Sequence, residues 1–399
     1  IQYEIYAKED IVTPDGTIQY TTGQLVETVT TDKNGQFASW QLYLGTYVIK
    51  EKTAPDGYVQ DTTEYEVTLS YGGQNESIVL SSISLSNERQ KVILSFRKEL
   101  EQHSVYPDSD AYRDVRFGLY VAEDILDVNG NIALEKDSLL EVITLDENLT
   151  GTVITDLPIG SYYLQEIATN KAYVLNTTKY PIDFTYQGQE TTTVEIATNN
   201  GQAIVNELQK GQVNLYKTSD ESGKPLANAV YGIYSTDGTE VSRLTTDETG
   251  YATSNLLPYG NYYLQEITAP NGYVLDTAQY PFMISTDGQA AVVETSDKLQ
   301  KGTINIQKTD NESGKPLANA EYEIYAKKDI VTPEGTVKHT AGELLDTVTT
   351  NENGFAKSKE LYLGTYTVKE KTAPEGYVLD ETEYEVMLTY GNPTASIVY

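Results

Sequence analysis

The chain repeats itself, and this constrains its fold more than any other feature. Tyr3-Glu4-Ile5-Tyr6-Ala7-Lys8 returns as Tyr322-Glu323-Ile324-Tyr325-Ala326-Lys327, and Glu51-Lys52-Thr53-Ala54-Pro55-Asp56-Gly57-Tyr58 returns as Glu370-Lys371-Thr372-Ala373-Pro374-Glu375-Gly376-Tyr377. The offset is 319 in both cases, so no insertion or deletion separates the two blocks. Two more diverged copies carry Tyr162-Tyr163-Leu164-Gln165-Glu166 and Tyr262-Tyr263-Leu264-Gln265-Glu266. A chain of four such copies folds as a series of small cores rather than one large one.

The joints lie where the last strand of one copy runs into the first strand of the next, at Leu208-Gln209-Lys210-Gly211, at Leu299-Gln300-Lys301-Gly302 and near 87–91. This gives expected domains at 1–89, 90–209, 210–300 and 301–399, joined too tightly to swing freely and so forming an elongated, semi-rigid, monomeric rod. Within each copy, alternating runs are separated by turn dipeptides such as Asn34-Gly35, Asn129-Gly130, Asp237-Gly238 and Asn353-Gly354. The 33 Tyr, with abundant Thr, Val and Ile, suit pleated surfaces, and long helical periods are missing. The expected class is all-β, with one small immunoglobulin-like or prealbumin-like sandwich per copy. Segments 7–24, 121–139 and 326–343 are longer than their counterpart in the third copy, and they are expected to be loops with one helical turn.

Several function classes drop out on composition. With 28 Lys+Arg against 59 Asp+Glu the net charge is −31, which repels nucleic acid and anionic bilayers. The absence of cysteine removes disulfides, thiolate metal sites and thiol nucleophiles. No apolar run reaches membrane-spanning length, and the sequence opens on what looks like a strand already under way, as though cut from a longer protein. His103 and His339 are far apart and in no metal-ligand spacing, so no cofactor or metal is expected. Acidic turns at Asp220-Glu221 and Asp310-Asn311-Glu312 suit solvated turns better than calcium loops.

Chemistry emerges from strand phase, because residues two apart share a face. Lys217 is in phase with Val213 and Leu215, Lys308 with Ile304 and Ile306, and Lys98 with Leu94 and Phe96. A single inward lysine reads as a strand end snorkelling to water, but three in the same phase do not. Glu51, Glu166, Glu266 and Glu370 follow inward Tyr and aliphatic residues, whereas Lys50 and Lys369 point to solvent. A third inward polar group ends the copies: Asn87 after Ile83 and Leu85, Asn206 after Ile204, and Asp297 after Val293 and Thr295. Buried apart, these groups would each cost several kcal/mol, so they must combine. Either they form a buried Lys-Glu ion pair with an Asn hydrogen bond, or desolvation leaves a neutral amine that attacks the Asn or Asp carbonyl while Glu shuttles protons, giving an internal amide.

The motifs apolar-x-apolar-x-Lys with Thr-x-x-x-Ser-Gly-Lys-Pro-Leu-Ala-Asn-Ala (217–229 and 308–320), then Tyr-x-x-x-Glu-x-x-Ala-Pro-x-Gly-Tyr, then a terminal Asn, resemble the Cna B-type, or SpaA-like, prealbumin-type domains of Gram-positive surface adhesins and pilins. The resemblance spans essentially the whole chain. It implies an isopeptide bond between Lys and Asn promoted by Glu, and so favours the amide. Carried over, Lys98 joins Asn206 with Glu166, and Lys217 joins Asp297 with Glu266. The second copy departs from the pattern at 167–173, where the Pro-Gly turn is lost, and the third departs at its acceptor, Asp for Asn. Glu51 and Asn87 in the first copy, and Lys308 and Glu370 in the fourth, are expected to be incomplete sets whose partners lie outside these residues. The resemblance further implies an extracellular, cell-wall-anchored stalk, held to peptidoglycan by a region outside these residues and projecting a distal head. The alternatives are direct adhesion to a host protein or glycan and a pilin shaft. Apart from the single-turnover amide, no enzyme activity is expected.

Overall fold

A computed structural model describes residues 1–127 and 129–398. Among them the regular structure is strands and two short 3-10 turns. The chain forms two compact units, one of residues 1–101, 108–170 and 175–207, the other of 102–107, 171–174 and 208–399. Each holds two copies of the repeat.

Every copy contains the same four-stranded antiparallel sheet. In the third copy its order is Glu240–Thr245, Val230–Ser235, Gly260–Thr268, Gln279–Ile284, and in the second Leu139–Ile143, Arg116–Val121, Gly160–Ala168, Lys179–Phe184. The strand bearing the repeated Glu is therefore central, covered on both edges. Its head carries a buried Tyr whose hydroxyl donates back to the carbonyl four residues earlier, as in Tyr162 to Pro158 at 2.5 Å and Tyr262 to Pro258 at 2.7 Å. That bond lets a large aromatic enter the core without an orphaned hydroxyl.

In the second, third and fourth copies further strands pack across this sheet and close the sandwich. In the third copy the first strand, Lys210–Ser219, pairs in parallel with the last, Gln289–Asp297, from Gly211↔Gln289 to Ser219↔Asp297 without a break. Val213 and Leu215 from this strand meet Tyr231, Ile233, Tyr262 and Leu264 from the larger sheet in one core. In the second copy Lys91–Leu100 pairs in parallel with Thr193–Ala197 and then with Ile204–Asn206, the two separated by a turn at Thr198–Gly201. The first and last strands of these copies thus lie side by side and run the same way, a pairing that no hairpin could achieve.

Two expectations fail. Residues 83–87 form no strand, although Ile83 and Leu85 still pack on the core of the first copy. In the second and third copies the corresponding segment is held by a lysine-bearing first strand, and the first copy offers none among the described residues. The long segments contain two-stranded ribbons rather than a helical turn: Ile11–Val12 with Ile18–Tyr20, Ile125–Leu126 with Ile132–Leu134, and Ile330–Val331 with Val337–His339. Thr13-Pro14-Asp15-Gly16 explains the first, since Asp15 accepts from the Thr13 hydroxyl and the Thr17 amide while Gly16 takes φ +89°. Val128, inside the second of these segments, and Tyr399 lie outside the described residues.

Candidate functional site

In the second copy the strand phase brings three distant residues together. Lys98, Glu166 and Asn206 are all buried. The Lys98 amine donates to Asn206 Oδ1 at 2.8 Å and to the Ile204 carbonyl at 2.9 Å. Asn206 Nδ2 donates to both Glu166 oxygens, at 2.9 and 2.8 Å, and to the Thr169 hydroxyl at 2.9 Å. The amine therefore stands on the oxygen side of the amide and the carboxyl group on its nitrogen side, with Lys98 Nζ and Glu166 Oε1 3.9 Å apart. Burial pulls the Lys98 amine from its ordinary 10.5 to about 8, against the opposing charge of Glu166. Burial likewise raises Glu166, while bonds from the Asn176 amide and Asn206 hold it down. A weakened base next to a carbonyl, and a carboxyl group on the would-be leaving nitrogen, are the two groups that amide exchange needs.

The third copy assembles its set differently. Lys217, Glu266 and Asp297 are buried, with Lys217 wholly so. The amine contacts Asp297 Oδ1, lies 3.2 Å from Glu266 Oε1, and donates to the Tyr231 hydroxyl at 2.7 Å. Here Glu faces the amine as well as the acceptor. Burial raises Glu266 to about 7 and raises Asp297 as well, Lys217 opposing both shifts. With two acids and one amine enclosed, a proton retained on one acid keeps the cluster neutral.

The first and fourth copies each hold half of this arrangement. Asn87 Nδ2 donates to both oxygens of Glu51, at 2.9 and 2.8 Å, as Asn206 does to Glu166. Lys308 lies 2.8 Å from Glu370, as an ion pair that is less enclosed than the inner copies'. Burial alone would lower the Lys308 pKa, but the hydrogen bond and charge of Glu370 with Tyr322 overcome it and the net shift is upward.

Sequence reasoning missed a supporting device present in all four copies. One oxygen of each Glu accepts the backbone amide ten residues on: Asp61 to Glu51 at 2.5 Å, and Asn176, Asp276 and Asp380 to Glu166, Glu266 and Glu370 at 2.8 Å. The signal was available in Tyr58-Val-Gln-Asp61, Tyr173-Val-Leu-Asn176, Tyr273-Val-Leu-Asp276 and Tyr377-Val-Leu-Asp380. Thr169, where the other copies have Ala, was also overlooked, as was Tyr231, and Thr295 was read only as an inward strand residue. His339 pairs with Glu343, and Asp310 accepts the amides of Glu312 and Ser313 in its own turn.

The family described as SpaA, prealbumin-like fold domain, matches residues 3–82, 108–206, 211–299 and 302–399. The chain is similar to the collagen adhesin of Staphylococcus aureus, 30% identical over 212 residues that make up 46% of this chain and 17% of the adhesin. It is also similar to the trypsin-resistant surface T6 protein of Streptococcus pyogenes serotype M6, 34% identical over 103 residues, 25% of this chain and 19% of that protein. The chain spans less than a fifth of either relative's length. Among solved structures, the Bacillus anthracis TIE protein is 24% identical, with 98% of this chain and 66% of that chain covered and a TM-score of 0.49.

Proposed function

The chain belongs to the SpaA family of prealbumin-like fold domains, and from that premise we propose that it is a load-bearing stalk of a Gram-positive surface protein whose second and third copies close themselves with internal amide bonds. The arrangement of Lys98, Glu166 and Asn206 carries this reading, because an amine of weakened basicity, an amide carbonyl and a proton carrier meet in a site closed to water. In the second copy Lys98 Nζ bonds to Asn206 Cγ, the Cγ–Nδ2 bond breaks, and Glu166 passes the proton that lets Nδ2 leave as ammonia. In the third, Lys217 Nζ bonds to Asp297 Cγ, a Cγ–Oδ bond breaks, and water leaves. Holding the groups in one core supplies the effective molarity that a single turnover requires. Each bond would tie the first strand of a copy to its last, so tension entering at one end leaves at the other through a covalent link.

Cell-wall attachment, a distal head and a host ligand belong to parts of a longer protein under the same proposal. Intact mass under denaturing conditions tests the chemistry. The 399-residue chain should be lighter than its sequence by one ammonia and one water. An unshifted mass would leave a buried ion pair and a hydrogen bond in place of the crosslinks.

A further inference from the structure

All four copies place an aromatic residue directly across the sheet from the repeated Glu: Tyr3↔Glu51, Phe117↔Glu166, Tyr231↔Glu266 and Tyr322↔Glu370. The two copies with complete sets differ at this position by one hydroxyl, and they differ again two residues before the acceptor, where the second copy has Ile204 and the third has Thr295. Both changes meet at one point. The buried Tyr231 hydroxyl lies 2.7 Å from Lys217 Nζ and 2.9 Å from Thr295 Oγ1. Phe117 and Ile204 can make no such bridge. In the second copy the amine instead takes the backbone carbonyl of Ile204, the residue opposite it in the ladder. The last strand of the third copy runs unbroken, and its lysine sits opposite Thr295 in the ladder.

We infer that the Tyr231 hydroxyl, backed by Thr295, is the positioning residue that holds the Lys217 amine on Asp297, a task done in the second copy by a backbone carbonyl. The inference rests on the reading that Lys217 and Asp297 become joined. Its physical reason is the choice the amine faces in this copy. Two carboxyl groups, Asp297 and Glu266, compete for it at contact distance, and only the first yields a bond. The amine donates to Asp297 Oδ1 and to the Tyr231 hydroxyl, while Glu266 Oε1, 3.2 Å away, takes no hydrogen bond from it. Burial keeps the phenol protonated, and its oxygen accepts from the amine while the hydroxyl shares a hydrogen bond with Thr295 Oγ1. Loss of one amine proton to Glu266 then leaves the nitrogen tethered by Tyr231 beside Asp297 Cγ. The N–Cγ bond forms, a Cγ–Oδ bond breaks, and the departing oxygen takes two protons to leave as water, so ammonium plus carboxylate becomes amide plus water.

The test follows the Lys217–Asp297 linked peptide by mass spectrometry in freshly synthesised full-length chain, with the Lys98–Asn206 link as internal control. Tyr231→Phe installs the residue that the second copy already carries at this place, and it should slow appearance of the third-copy link by tenfold or more with the Lys98–Asn206 link unchanged. Thr295→Val, which leaves the phenol in place without its partner, should give a smaller slowing and serves if the first variant folds poorly. Equal linking rates in wild type and both variants would overturn the role of Tyr231 while leaving the crosslink intact. Absence of any Lys217–Asp297 link in the wild type would overturn both.

Discussion

Lysine is a poor nucleophile at neutral pH because its proton leaves only near 10.4 in water. Enclosing Lys98 between two sheets lowers that figure to about 8, and the proximity of Glu166 limits the fall. The sign of the resulting pH dependence can be checked in Asn206→Ala, which keeps amine and carboxyl group but has no acceptor. The Lys98 amine holds its proton less tightly folded than unfolded, so between about pH 8 and 10.5 the unfolded chain binds more protons and stability rises with pH. Glu166, raised by burial, holds its proton more tightly when folded, and its contribution falls as pH climbs past its ordinary value near 4.5. Thermal melts of this variant should therefore show the second copy gaining stability on the alkaline side, by no more than about 3 kcal/mol. A melting temperature that does not rise from pH 8 to 10 would mean the amine stays charged in the core.

Strands place the candidate site residues, but glutamine side chains seat the second copy on the first and the fourth on the third. Gln300 is buried at the joint between the third and fourth copies, where its amide nitrogen donates to the carbonyls of Asn392 and Ala395 at 2.8 and 2.7 Å and its oxygen accepts from the Gly391 amide at 2.9 Å. Its backbone amide meanwhile donates to Gly272 in the preceding copy. Gln90 does the same between the first and second copies, bonding Gly188, Thr191 and Gln187 while its own amide reaches Gly57. The joints are thus hydrogen-bonded structures and not spacers. Gln300→Ala would strand three backbone groups, and about 1–3 kcal/mol of the fourth copy's stability should go with them. Hydrogen exchange at the Gly391 amide reads this directly, and unchanged protection there would show that water replaces the side chain at no cost.

Along the whole molecule, stability should be uneven. Lys98 and Asn206 are 108 residues apart and Lys217 and Asp297 are 80 apart. By the loop-closure argument used for disulfides, each proposed link would contribute roughly 4.5–5 kcal/mol through the unfolded chain. The first and fourth copies hold no complete Lys-Glu-Asn or Lys-Glu-Asp set among the described residues. In moderate denaturant a protease should therefore remove sequence from 1–89 and 301–399 first and leave a core from 90–300. Simultaneous loss of all four copies would show that the joints, and not the links, set the order.

At this scale it is also clear what was readable from the chain alone. Repeats, joints, the all-β class and the inward phase of Lys98, Lys217, Glu166 and Glu266 follow from a period of two and from self-similarity, both of which are properties of neighbouring residues. Which groups touch is not such a property. That Glu166 lies on its acceptor while Glu266 reaches both its lysine and its acceptor, that 83–87 forms no strand without a parallel partner, and that the Lys98 amine turns to a backbone carbonyl, all depend on how side chains from distant parts of a copy meet between two packed sheets. The register beside the lysine is the same in the second and third copies, Lys98 opposite Ile204 and Lys217 opposite Thr295, so the difference lies in how the enclosed side chains pack, which the alternation along either strand does not specify.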